Sequence, residues 1–109
     1  MAERPLFMVR LRVDPAHEEA FTRWYHEEYL DTLLPTAPLF VGCRRYVSGQ
    51  GAEKVFLTIY EIKDEASIDA ALAVFDRPDR REYQRQWQAW EKKAVTELNV
   101  RLFTPIYPG

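Results

Sequence analysis

The hydrophobic periodicity of this chain changes in a fixed order along its length, and that order leaves few folds open. From Leu6 to Val13 the side chains alternate, with Phe7, Val9, Leu11 and Val13 on one side and Leu6, Met8, Arg10 and Arg12 on the other. Such two-fold alternation is the signature of a strand. Asp14-Pro15 ends it: Asp14 is placed to cap a helix, Pro15 suits the first helical position, and Glu18 and Glu19 suit the N-terminal turn. The period then lengthens to that of a helix, predicted to run to about Leu34, where Pro35 and Pro38 forbid continuation. Leu39–Val47 and Lys54–Ile62 return to strand patterning on either side of Ser48-Gly49-Gln50-Gly51, a loop of hairpin length. A short helix is expected from about Glu65 to Phe75, with a break at Asp76-Arg77-Pro78-Asp79. A longer helix follows, capped by Asp79 and reaching about Glu97, with Tyr83, Trp87, Trp90 and Ala94 as its apolar stripe. Val100–Tyr107 reads as the last strand, closed by Pro108-Gly109.

The order is β-α-β-β-α-β with the second helix broken in two. It predicts a single α+β domain over residues 1–109, a ferredoxin-like four-stranded antiparallel sheet with its helices on one face. Composition narrows the function classes. At 47% hydrophobic and 29% charged the chain is an ordinary globular one. A net charge of −2 without a basic tract argues against nucleic acid as the main partner. The single cysteine, Cys43, can form neither an internal disulfide nor a zinc site. No apolar run approaches the roughly 18–20 residues of a membrane span, and Met1 to Pro5 carries no signal-peptide core, so a cytoplasmic protein is expected.

The aromatic content is high, with 3 Trp, 6 Tyr and 6 Phe. Met8, Phe40, Tyr46, Phe56, Tyr60, Phe103 and Tyr107 all fall in strands, more bulk than one layer of helices can cover. A homodimer that packs sheet on sheet is the expected remedy. In the first helix a regular α-helical register puts Phe21, Trp24, Tyr25, Glu28 and Thr32 on one stripe, flanked by His17 and Tyr29. A carboxylate in a sheet-facing stripe must be paired or must reach a cavity, because burying it alone is costly. Glu28 therefore either pairs with a strand arginine or acts as a general acid or base at a cavity mouth. Tyr29, at the stripe edge, is a candidate hydrogen-bond donor or weak acid.

Trp24, Tyr25, Tyr46 and Tyr60 are candidates to line the same cavity. Arg10 and Arg45 either make inter-strand ion pairs or orient an anionic group, which the guanidinium fork binds well. His26 points away from the stripe and reads as a surface residue. Neither histidine has metal-ligand spacing and no glycine-rich phosphate loop is present, so neither a metal nor an organic cofactor is expected.

Phe21-x-x-Trp24-Tyr25-x-Glu27-Glu28-Tyr29-Leu30, then Leu33-Leu34-Pro35, then Phe40-Val41-Gly42-Cys43-Arg44-Arg45-Tyr46, resembles the EthD-like branch of the dimeric α/β-barrel superfamily. The resemblance spans nearly the whole chain. It implies dimerisation through the open sheet faces and a ligand cavity lined by helix and sheet side chains. It also implies one of several activities, among them cofactor-free monooxygenases, polyketide cyclases and muconolactone isomerases. The branch has a histidine where this chain has Tyr29, so a base role held by that histidine does not carry over. The resulting expectation is a cofactor-free small-molecule enzyme of lyase, isomerase or cyclase type, acting by proton transfer on a mostly apolar, aromatic or cyclic substrate. Glu28 would be the base, Tyr29 the acid and Arg10 the charge holder. The alternatives are a cofactor-independent monooxygenase of an electron-rich aromatic and a non-catalytic binding protein.

Overall fold

The computed structural model describes residues 3–107; the closing Pro108-Gly109 lies outside them. Four strands, β1 (Leu6–Val13), β2 (Phe40–Ser48), β3 (Val55–Ile62) and β4 (Val95–Phe103), form one antiparallel sheet in the order β2-β3-β1-β4. With the helices between β1 and β2 and between β3 and β4, this is the ferredoxin-like fold. The register sorts the side chains into two faces. Phe7 pairs with Tyr60, Val9 with Thr58 and Leu11 with Phe56, and these point towards the helices. Met8, Arg10, Leu57 and Ile59 point the other way, where Arg10 and Arg12 both pair with Glu97 and Arg4 with Glu61.

The helical cover of the sheet is segmented. Asp14 caps the first turn through Ala16 N–H, as its sequence position predicts. Helix α1 (Glu18–Trp24) passes into a π-turn, Tyr25–Leu30, and ends in α2 (Asp31–Leu33). After β3, Asp64 caps a short turn by accepting from Ser67 N–H and its hydroxyl, and α3 (Ile68–Leu72) follows. The break at Asp76-Arg77-Pro78-Asp79 is present. Asp79, however, binds the Arg77 guanidinium instead of capping α4 (Arg81–Lys93).

The end of α4 corrects the sequence reading. The helix stops at Lys93, and the last strand begins at Val95 instead of Val100. Ala94 leaves helical geometry, its carbonyl accepts from Asp14 N–H at 2.7 Å, and Val13 pairs with Val95 beside an irregularity in β1. Cross-strand pairing with β1 overrides the helical propensity of this segment. The hairpin loop between β2 and β3 needs glycine at Gly49: its φ is +87°, and a Cβ there would stand 2.7 Å from the Glu53 carbonyl oxygen.

Candidate active site

The π-turn decides what reaches the sheet. Asp31 N–H donates to the carbonyl of His26, five residues back, which inserts one extra residue into the helix. Residues beyond it are turned back by about one helical step, roughly 100°. Tyr29 thus takes the inward position that a regular helix would give Glu28, and Leu33 the one it would give Thr32. Tyr29 and Leu33 are buried, whereas Glu28 points into solvent. The stripe predicted from α-helical spacing is therefore wrong from Glu28 onward, and right for Phe21 and Tyr25.

A π-turn leaves carbonyls without helical partners, and this one is held by side chains. Thr32 Oγ1 donates to the Glu28 carbonyl and lies 3.3 Å from that of Tyr29. Arg80, only 2% exposed, donates from Nη2 to the Tyr29 carbonyl at 3.0 Å and from Nη1 to Thr32 Oγ1 at 2.8 Å. Its guanidinium also lies over the rings of Tyr29 and Tyr83. Arg80 thus fixes the backbone that carries Tyr29.

Between these helices and the sheet lies a cavity of about 350 Å³. Its floor is three buried tyrosines, Tyr25, Tyr29 and Tyr60. Phe7, Val9, Phe75 and Trp87 form apolar walls, and Gln84 stands among them. The mouth opens between α4 and β4, where Asp76, Gln88, Leu98 and Val100 are exposed.

The hydroxyls on the floor are donors. Arg45 Nε donates to Thr58 Oγ1 at 3.2 Å, and Thr58 Oγ1 donates to the Tyr25 hydroxyl at 3.1 Å. Gln84 Nε2 reaches the Tyr29 hydroxyl at 3.5 Å while donating to the Phe75 carbonyl at 2.9 Å. The oxygens of Tyr25 and Tyr29 are thus each supplied with a donor, leaving their own protons for another acceptor. Burial, the largest influence, pushes all three phenols above their ordinary pKa of 10.0. At neutral pH none is a base.

Arg45 completes the floor from behind. Its guanidinium lies 4.5 Å from the centre of the Tyr25 ring, and Nη1 donates to His26 Nε2 at 3.0 Å. Burial first, and this cation second, pull His26 below its ordinary pKa. No carboxylate among the described residues pairs with Arg45.

Of the residues singled out from sequence, Tyr25, Tyr29 and Tyr60 meet in the cavity, with Arg45 one layer behind. Trp24 packs on Tyr29 and Trp87 from outside without lining the cavity. Glu28 is remote from it. Arg10 and Tyr46 sit on the opposite sheet face, Arg10 paired with Glu97 and Tyr46 48% exposed. Sequence reasoning missed Gln84, Gln88 and Asp76, and it read Trp87 as core. The available signal was a pair of amides one turn apart beside an aromatic stripe. Among the described residues no His, Cys, Asp and Glu side chains cluster to hold a metal.

No protein-family model matches the sequence, and no curated protein matches it. Solved structures do. A NIPSNAP-like domain protein from Burkholderia xenovorans is 12% identical, with a TM-score of 0.67 over 100% of this chain and 90% of that one. A putative antibiotic biosynthesis monooxygenase from Bacteroides thetaiotaomicron is 18% identical, with a TM-score of 0.67 over 98% and 93%. SnoaB, a cofactor-independent oxygenase from Streptomyces nogalater, is 21% identical, with a TM-score of 0.55 over 99% and 100%. The likeness is one of fold. These neighbours share the ferredoxin-like architecture of dimeric α/β-barrel proteins.

Proposed function

We propose that the protein is a cofactor-independent oxygenase of an electron-rich cyclic or aromatic compound that carries an ionisable hydroxyl or an enolisable carbonyl. The observation that carries this reading is the floor of the cavity: three protonated tyrosines under apolar and aromatic walls, with the hydroxyls of Tyr25 and Tyr29 each accepting from the protein and keeping their own protons for a ligand. Walls of this kind supply binding area for a ring system, and the few polar groups orient it. Hydroxyl donors in a low-dielectric site stabilise an oxygen anion on the ligand and lower the cost of forming it. Tyr29, backed by Gln84, is the principal donor, and Tyr25, polarised through Thr58 and Arg45, is the second.

A phenolate or enolate held there is electron-rich and can itself reduce O₂. The ring carbon gains a hydroperoxide group, water leaves with the ring hydrogen, and a phenol plus O₂ becomes a quinone plus water. Two fold neighbours, a cofactor-independent oxygenase and a putative monooxygenase, support the same chemistry, as does the resemblance of Phe21–Leu30 to the EthD-like phrase. The reading includes a homodimer built through the outer sheet face, where Tyr46 and Phe103 are nearly half exposed.

An oxygen electrode with naphthols is the test. The expected result is one O₂ consumed per quinone formed, with turnover abolished under argon. The second reading, proton transfer of isomerase or cyclase type, is favoured by one observation, the Asp76 carboxylate at the cavity mouth. Product formed equally well under argon would establish it in place of oxygenation.

A further inference from the structure

The two ends of the cavity are opposite in chemistry. Its floor offers protons, because the hydroxyl oxygens of Tyr25 and Tyr29 already accept from Thr58 and Gln84. Its mouth offers acceptors. Gln84 is oriented by its Nε2, which donates to the Phe75 carbonyl at 2.9 Å and reaches the Tyr29 hydroxyl at 3.5 Å. What the amide has left for a ligand is Oε1, an acceptor. The Phe75 carbonyl belongs to the peptide group that leads into Asp76, so the same bond ties Gln84 to the chain that carries the carboxylate at the mouth.

Asp76 is exposed, and the nearest arginines in the chain are engaged elsewhere. Arg77 turns its guanidinium to Thr36 and Asp79, and Arg80 turns inward to Thr32 and the Tyr29 carbonyl. Among the described residues no cation pairs with Asp76, and no Lys, Arg or His lines the cavity. An anion at one end of a cavity without cations favours a donor on the ligand and disfavours a second anion beside it.

Resting on the oxygenase reading above, we propose that Asp76 and Gln84 select the substrate. The compound that reacts carries a second hydrogen-bond donor, a hydroxyl or an ammonium, at the edge of its ring system opposite the oxygen that ionises. The ring then has one favoured orientation. Its oxygen anion lies on the tyrosine hydroxyls, and its far donor meets the Asp76 carboxylate and Gln84 Oε1. Turned end for end, the anion would face Asp76 and the donor would face hydroxyl protons, so the reversed pose is disfavoured at both ends. Asp76 is in this way a specificity-determining residue that brings the reacting oxygen to the floor.

Calorimetric titration under argon tests the selection without turnover. 1,5-Dihydroxynaphthalene is compared with 5-methyl-1-naphthol, and 5-(aminomethyl)-1-naphthol with 5-ethyl-1-naphthol. Each pair keeps the ring, the ionisable oxygen and nearly the same volume, and differs in the far donor. In the parent protein each donor is expected to tighten binding about fivefold or more. Asp76→Ala, at an exposed position, is expected to reduce both gains to about twofold or less. Tyr29→Phe should weaken all four ligands and leave the two ratios as they were. A gain in one pair alone narrows the donor to the group in that pair. Equal affinities within both pairs, or gains that Asp76→Ala leaves intact, would overturn the proposal. A donor preference that depends on Asp76, with no O₂ uptake in air by any of the four compounds, would overturn the oxygenase reading alone and leave the selection standing.

Discussion

At the scale of the residue, the site depends on which of two neighbours faces the sheet. Tyr29 is buried in the cavity floor and Glu28 is exposed, although a regular helix would exchange them. Tyr29→Phe keeps the ring, which packs on Trp24, Tyr25 and Trp87, and removes only the hydroxyl. Losing a donor aimed at a developing anion costs about 10²-fold in turnover, while stability to urea stays within about 1 kcal/mol of the parent. Steady-state kinetics and urea titration of the variant check both. Glu28→Gln, remote from the cavity, is expected to retain parental kinetics, and a comparable loss there would return the base role to Glu28. Tyr25 and Tyr60 were legible in sequence because strand and early-helix periodicities are regular. Arg10 and Tyr46 were not, because alternation tells two faces apart without saying which one holds a cavity.

At the scale of the element, the π-turn explains most of what the sequence concealed. One inserted residue moves every side chain after it, and nothing in Tyr25–Leu30 marks the insertion. The partner that holds it, Arg80, lies far along the chain in a segment that reads as a solvated run of charges. Arg80→Ala removes two hydrogen bonds from a charged donor and strands a carbonyl in the interior. It is expected to lower unfolding stability by about 2–3 kcal/mol in urea titration. The displaced start of β4 has a related cause. Val95–Glu97 can continue a helix locally, but Val13 pairs with Val95 and Arg12 binds Glu97, and neither partner is visible within a window of adjacent residues.

At the scale of the whole molecule, three tyrosines buried in one place tie stability to alkaline pH. Their folded-state pKa values lie above the unfolded value of 10.0, so the folded protein holds protons that the unfolded chain releases. The stabilisation is complete below pH 10 and falls as pH rises above it, by up to about 1.4 kcal/mol per pH unit for each group. Urea titrations from pH 8 to 11 should show this slope, and Tyr60→Phe should reduce it. The outer sheet face leads to a further expectation. Its exposed Tyr46 and Phe103 call for cover, and sedimentation equilibrium at micromolar concentration should give a dimer mass.

The central claim is that the tyrosine floor stabilises an oxygen anion on a bound ring. It is tested most directly by the absorbance spectrum of 4-nitrophenol in the cavity, titrated with pH. The bound phenol is expected to ionise at a lower pH than in water, and Tyr29→Phe should move that ionisation back up. Ionisation at a higher pH than in water, unchanged by Tyr29→Phe, would contradict the account.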